Sequence, residues 1–89
     1  MEQRPVTIVN KLGLHARAAA KFVTTASGFA SNIDIEKDGQ KVNGKSIMGV
    51  MMLAASRGTR LTIRADGTDE REAVDSLERL IEEKFGEHE

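Results

Sequence analysis

The sequence has no cysteine, tryptophan or tyrosine, a single proline, two histidines and three phenylalanines. Without cysteine there can be no disulfide, no thiolate nucleophile and no sulfur-based metal site. Two histidines, His15 and His88, do not make a histidine cluster, and neither a metal nor any other cofactor is expected. Phenylalanine as the only aromatic residue leaves few platforms for stacking single-stranded bases. No apolar run approaches the roughly 18 residues of a membrane-spanning helix. The opening Met1-Glu2-Gln3-Arg4-Pro5 lacks signal-peptide character, so a cytoplasmic protein is expected. Chemistry is left to histidine, hydroxyls, carboxylates and basic side chains.

Charge is nearly balanced at −1, but it is unevenly placed. Residues 1–65 hold ten Lys or Arg against four acids, a balance of +6. Residues 66–89 hold three against ten, a balance of −7. Acids are missing altogether from residues 3–33 and 39–65. Such asymmetry bears on partners and not on fold. It suggests an acidic partner approaching the basic body, with the C-terminal helix turned away. At 89 residues, with 39% hydrophobic and 30% charged, the chain is expected to form one domain over 1–89.

Local pattern gives the order β-α-β-β-α-β-α. Val6–Val9 after Pro5 suits the start of a strand. Ala16, Ala19, Ala20, Val23 and Ala26 repeat at helical spacing, and Gly28 is a candidate helix stop. Ile33 and Ile35 alternate with Asp34 and Glu36. Asp38-Gly39 is a two-residue hairpin signal, and residues 40–43 would return as a strand. Ile47–Leu53 is a short apolar helix, and Thr59–Ala65 alternates again. Asp69 with Glu72 resembles a capping box ahead of a helical stripe from Ala73 to Phe85. The expected fold is α+β, an open-faced β-sandwich: a four-stranded antiparallel sheet covered on one face by three helices. A ferredoxin-like sheet is the alternative.

His15 falls at the N-cap of the first helix, over the backbone N–H groups of Ala16, Arg17 and Ala18. A helix start attracts anions through those donors and the helix dipole. Arg17 adds a planar cation suited to phosphate. A neutral imidazole is a good nucleophile near neutral pH. Together these residues describe a histidine that accepts a phosphoryl group, although a surface histidine at a helix start is the commoner occurrence. No acid lies nearby in the sequence to repel a phosphate.

Residues 39–46, Gly-Gln-Lys-Val-Asn-Gly-Lys-Ser, fit the G-x-x-x-x-G-K-[ST] pattern of a phosphate-binding loop. A strand over 40–43 could not wrap phosphates, so the match is set aside. Ser46 reads as the N-cap of the following helix. A phosphate there would add negative charge at a helix start, beside Lys45, without unfolding it. That helix has six apolar residues in seven, too many to face inward together. Ile47, Met48 and Met51 therefore suit an adaptable contact patch.

Gly13-Leu14-His15-Ala16-Arg17-Ala18, Gly44-Lys45-Ser46-Ile47-Met48 and Ala65-Asp66-Gly67-Thr68-Asp69-Glu70 together resemble the HPr family, from about Val6 to Phe85. These are the histidine phosphocarriers of the bacterial phosphoenolpyruvate-dependent phosphotransferase system. The resemblance implies that His15 is phosphorylated on Nδ1 by enzyme I and passes the group to an enzyme IIA. It implies that Arg17 pairs with the phosphate. Ser46 matches the site of an ATP-dependent HPr kinase/phosphorylase, and a transcription regulator is a further implied partner. Ile47, Met48 and Met51 match the family's docking patch, bordered by Ala20, with Lys45 near the Ser46 hydroxyl. The segments 18–23 and 49–55 are more similar to the nitrogen-related branch, NPr. Two other readings compete: a nucleic-acid-binding module using the +6 body, and a regulatory module acting only through Ser46–Met51.

Overall fold

The two isoleucine-bearing alternations form the middle of the sheet. In the computed structural model, which describes residues 1–89, β2 (Asn32–Lys37) buries Ile33 and Ile35. Its neighbour, the later strand Arg60–Asp66, buries Leu61, Ile63 and Ala65. Two further strands complete the sheet: β1 (Glu2–Thr7) at one edge, and β3 (Gln40–Asn43) at the other. With Arg60–Asp66 as β4, the order is β1-β4-β2-β3, antiparallel throughout. A ferredoxin-like sheet, built from split βαβ units, would hold its first strand in the interior. Here β1 pairs only with β4, so that alternative is excluded.

The helices are α1 (Ala16–Ser27), α2 (Ile47–Met52) and α3 (Glu70–Glu82). One cluster of 20 buried residues joins the inner face of the strands to Ala18, Ala19, Phe22 and Ala26 of α1, Val50 of α2, and Ala73, Val74, Leu77 and Ile81 of α3. The outer face is polar. Arg64 of β4 lies between Asp34, at 3.7 Å, and Glu36 of β2. This is the open-faced sandwich. The hairpin turn is as expected: Asp38 and Gly39 both take positive φ, 50° and 84°, which a type I′ turn requires. The strand over 40–43 removes the phosphate-loop reading of 39–46.

Beyond one-residue shifts at the ends of α2 and β4, three details depart from the sequence reading. β1 runs through Pro5 instead of starting after it. Pro5 sits opposite Thr62 on an edge strand, where a missing N–H is tolerated. Arg4 ties that edge to α3, reaching Glu78 at 2.6 Å and Asp75 at 2.9 Å. Gly28 follows α1 with a right-handed φ of −77°, so the helix stops without a left-handed glycine. Finally, α3 ends at Glu82, and Phe85 belongs to a separate 3-10 turn, Lys84–Gly86.

Asp69 precedes α3 but does not cap it with its side chain. Its carboxylate instead accepts from the Ser31 hydroxyl (2.5 Å) and from the N–H groups of Ala30 (2.8 Å) and Ser31 (3.0 Å). It thereby clamps the α1–β2 connection to the start of α3. The approach is close: a Cβ on Gly67 would lie 2.6 Å from Ser31 Oγ. The Ser31 hydroxyl and then the Ala30 amide hold the Asp69 carboxyl below its ordinary value of 3.8. A carboxyl lowered on folding stabilises the fold above that ordinary value, and the contribution disappears as pH falls through the folded value. Asp69→Ala is therefore expected to lower the thermal midpoint at neutral pH. The gap from the parent chain should close in acid well below pH 3.8. A gap of constant size across that range, measured by calorimetry, would contradict the clamp.

Candidate functional site

The segment between β1 and α1 is held from below by packed backbone. Ile8 extends the β1–β4 pairing, donating to Thr59 O at 2.9 Å and accepting from Gly58 N at 2.7 Å. Asn10 is fully buried, and its amide donates to Gly13 O at 2.9 Å. Gly13 takes φ +68°, and a Cβ there would collide with the Ala55 carbonyl. Leu14, also buried, donates its N–H to that same carbonyl at 2.8 Å.

These contacts deliver His15 to the N-cap of α1 in extended conformation, φ −72° and ψ 178°. Its carbonyl accepts from Ala19 N at 2.8 Å, but its ring makes no capping hydrogen bond. The N–H groups of Ala16, Arg17 and Ala18 consequently have no intrahelical acceptor. No acid occupies the first turn. Arg17 is exposed, forms no ion pair, and shares with His15 an open cavity of about 680 Å³. The expected juxtaposition of imidazole, guanidinium and free amides is present.

The same cavity is lined by Lys11, Leu12, Glu87, His88 and Glu89. Here the structure corrects the charge argument. Helix α3 ends short, and the tail turns back across the start of α1. His15 Nε2 lies 2.5 Å from Glu87 Oε2, and Asn10 Nδ2 donates to Glu87 Oε1 at 3.0 Å. The acidic end of the chain is therefore not turned away from His15, and a carboxylate does stand beside the imidazole. Burial pushes the Glu87 carboxyl up. The hydrogen bonds from His15 and Asn10, with the charges of His15 and Lys21, outweigh it, and the net shift is downward. Seventy-two positions separate Glu87 from His15, and no sequence period connects them. Gly86 directly after Phe85 was the one available sign that the helix stops and the chain reverses.

Ser46 is the N-cap of α2, its hydroxyl accepting from Gly49 N at 3.1 Å. Lys45 is half-buried, and its ammonium donates to Phe29 O at 2.7 Å instead of attending the Ser46 hydroxyl. Ile47, Met48 and Met51 are exposed, at 40%, 70% and 40%. Met52, at 66%, and Leu12, at 67%, are exposed apolar residues that the sequence reading missed. Ala20 is half-buried on α1, which packs against α2.

The arrangement defines a class: a small protein with one imidazole at an uncapped helix start, beside a short helix that exposes apolar side chains. Known proteins narrow this class to a family. Residues 2–83 match the family model described as the PTS HPr component phosphorylation site. Over its full length the chain is 54% identical to all of phosphocarrier protein HPr of Cupriavidus necator. It is 53% identical to all of its counterpart in Neisseria meningitidis serogroup B. Among solved structures, HPr-C-His from Thermoanaerobacter tengcongensis superposes with a TM-score of 0.96 at 54% identity, each chain covered completely. Phosphocarrier protein HPr from Bacillus anthracis gives 0.87 at 46%, over 90% of this chain and 95% of that one. The chain belongs to the HPr family of phosphocarriers of the phosphotransferase system.

The Gly13–Ala55 approach makes a direct prediction. Gly13→Ala combines a left-handed alanine with a backbone clash and should cost at least about 1–3 kcal/mol of stability. Denaturant unfolding measures this; a loss below half a kilocalorie would show that the loop holds His15 by other means.

Proposed function

We propose that the chain carries a phosphoryl group on His15, taking it from phospho-enzyme I and giving it to an enzyme IIA of the phosphotransferase system. The observation that carries this reading is His15 at an uncapped helix start with Arg17 free beside it. The lone pair of Nδ1 attacks phosphorus, the N–P bond forms, and the bond from phosphorus to the donor breaks. The N–H groups of Ala16, Arg17 and Ala18 and the Arg17 guanidinium face the charge that the group brings. Transfer onward reverses these steps. The chain is thus a substrate of the proteins on either side of it, and residues 1–89 act as one carrier unit without a cofactor.

Ile47, Met48 and Met51, with Ala20 and Lys45 at their border, serve as the contact surface for both partners. Ser46 serves as a regulatory phosphorylation site for an HPr kinase. A phosphate there would keep the helix start it already caps and would place negative charge against the same surface. Fast exchange of partners requires weak binding, so affinity is held low and dissociation is rapid.

Incubation with phosphoenolpyruvate and a cognate enzyme I should give an acid-labile, alkali-stable adduct, absent from His15→Ala. Equal labelling of that variant rules the reading out. Arg17→Ala should slow transfer roughly ten- to hundredfold, the loss of one charge-stabilising donor. Its melting temperature should stay unchanged, because Arg17 is exposed and makes no ion pair. A destabilised Arg17→Ala would assign that residue to the fold.

A further inference from the structure

Resting on His15 as the phosphoryl acceptor, we propose that Glu87 is a positioning residue for transfer: its carboxylate holds the proton of His15 on Nε2 and so keeps the lone pair on Nδ1. Glu87 lies beyond residues 2–83, over which the family pattern matches.

Three independent features build this contact. The first is the geometry at the ring. Glu87 Oε2 approaches Nε2 at 2.5 Å, and the two side chains are only 17% and 29% exposed, so water competes poorly for either group. The second is the support behind the carboxylate. Its other oxygen accepts from Asn10, which is fully buried and itself anchored on Gly13 O. The imidazole is thus oriented by a carboxylate that is oriented in turn. The same arrangement selects one tautomer in carboxylate–histidine pairs at metal sites and in hydrolytic triads.

The third feature is the backbone that brings Glu87 there. Lys84 and Phe85 both take left-handed φ, 58° and 56°. For non-glycine residues that costs on the order of 1–3 kcal/mol each and persists only where the surroundings impose it. The surroundings are visible: Phe85 is buried, Lys21 Nζ donates to Phe85 O at 2.6 Å, and Lys11 N donates to Glu89 O. A tail lying loosely over the site would need none of these.

An ionised carboxylate can only accept, so the hydrogen in this contact belongs to Nε2 of the imidazole, and in the neutral ring that attacks phosphorus the lone pair is then left on Nδ1. When Nδ1 bonds to phosphorus the ring becomes cationic, with Nε2–H retained and the carboxylate alongside. When the N–P bond breaks, the electron pair returns to Nδ1. No proton enters or leaves the ring in either direction. The carboxylate also repels an incoming phosphoryl group, but it contacts the ring nitrogen that does not react. Arg17 and the helix amides supply the opposite charge.

The test uses the full chain with Glu87→Gln and Glu87→Ala. Nitrogen NMR of the unphosphorylated, ring-labelled protein reads the His15 tautomer without any partner. The parent should show protonated Nε2 and unprotonated Nδ1, and Glu87→Ala should show a mixture. Turnover by enzyme I should then show a lower kcat at unchanged KM, on the order of ten- to hundredfold for Glu87→Ala and less for Glu87→Gln, which retains an acceptor. A tautomer unaltered in Glu87→Ala overturns the proposal, as does transfer that is equal or faster in both variants. The latter result would make the tail a bystander or a brake. Failure to label His15 in the parent chain overturns the carrier reading and this one together. Labelling that is indifferent to both variants overturns this one alone.

Discussion

The site depends on the close approach of two stretches of backbone, Gly13-Leu14 and Ala55-Ser56. The carbonyl of Ala55 takes the Leu14 amide, and only a glycine in left-handed conformation fits above it at position 13. This contact determines where the chain stops being loop and where α1 begins. It thereby sets His15 in an extended conformation, with its ring off the helix end and the helix amides unclaimed. An ordinary capping side chain at this position would bond those amides itself. The imidazole leaves them open, which costs a little helix stability and leaves their N–H groups available to an anion.

Charge acts on two scales. Over the whole chain the basic body and the acidic segment nearly cancel, and α3 spends part of its acid on Arg4 at the edge of the sheet. At the site a cation and an anion neighbour the imidazole without pairing with each other. Arg17 lines the same cavity without an ion pair, while Glu87 lies against Nε2. In the proposed carrier role, an imidazole with one cationic and one anionic neighbour suits a group that must accept and release a phosphoryl group with little difference in free energy between the two states. In that proposed role, the exposed methionines of α2 are the contact surface that such exchange requires.

Much of the architecture was legible from short-range pattern. The alternation at 32–37, the Asp38-Gly39 turn and the alanine-rich period at 16–27 each have one physical solution, and the observed elements fall where those patterns place them. The placement of His15 at a helix start, of Arg17 in its first turn and of exposed apolar residues on α2 was legible for a similar reason: each depends on its own few neighbours. Features that depend on distant neighbours were not. Pro5 is admitted to β1 because that strand is an edge, which only the strand order reveals. Asp69 looked like a helix cap and instead serves the backbone of residues 30–31. Phe85 continued the apolar stripe of α3, yet its burial is achieved by a left-handed turn that ends the helix. Glu87 depends on that turn, and it places a carboxylate beside His15 where the sequence led us to expect only a C-terminal helix turned away.

The central claim is chemical: one nitrogen of one side chain carries the phosphoryl group. Its most direct test is nitrogen–phosphorus correlation NMR on the ring-labelled, phosphorylated chain. The account predicts a single phosphorus resonance coupled to Nδ1 of His15, with Nε2 still bearing its proton. Coupling to Nε2, or phosphorus attached to any residue other than His15 after treatment with phospho-enzyme I, would contradict it.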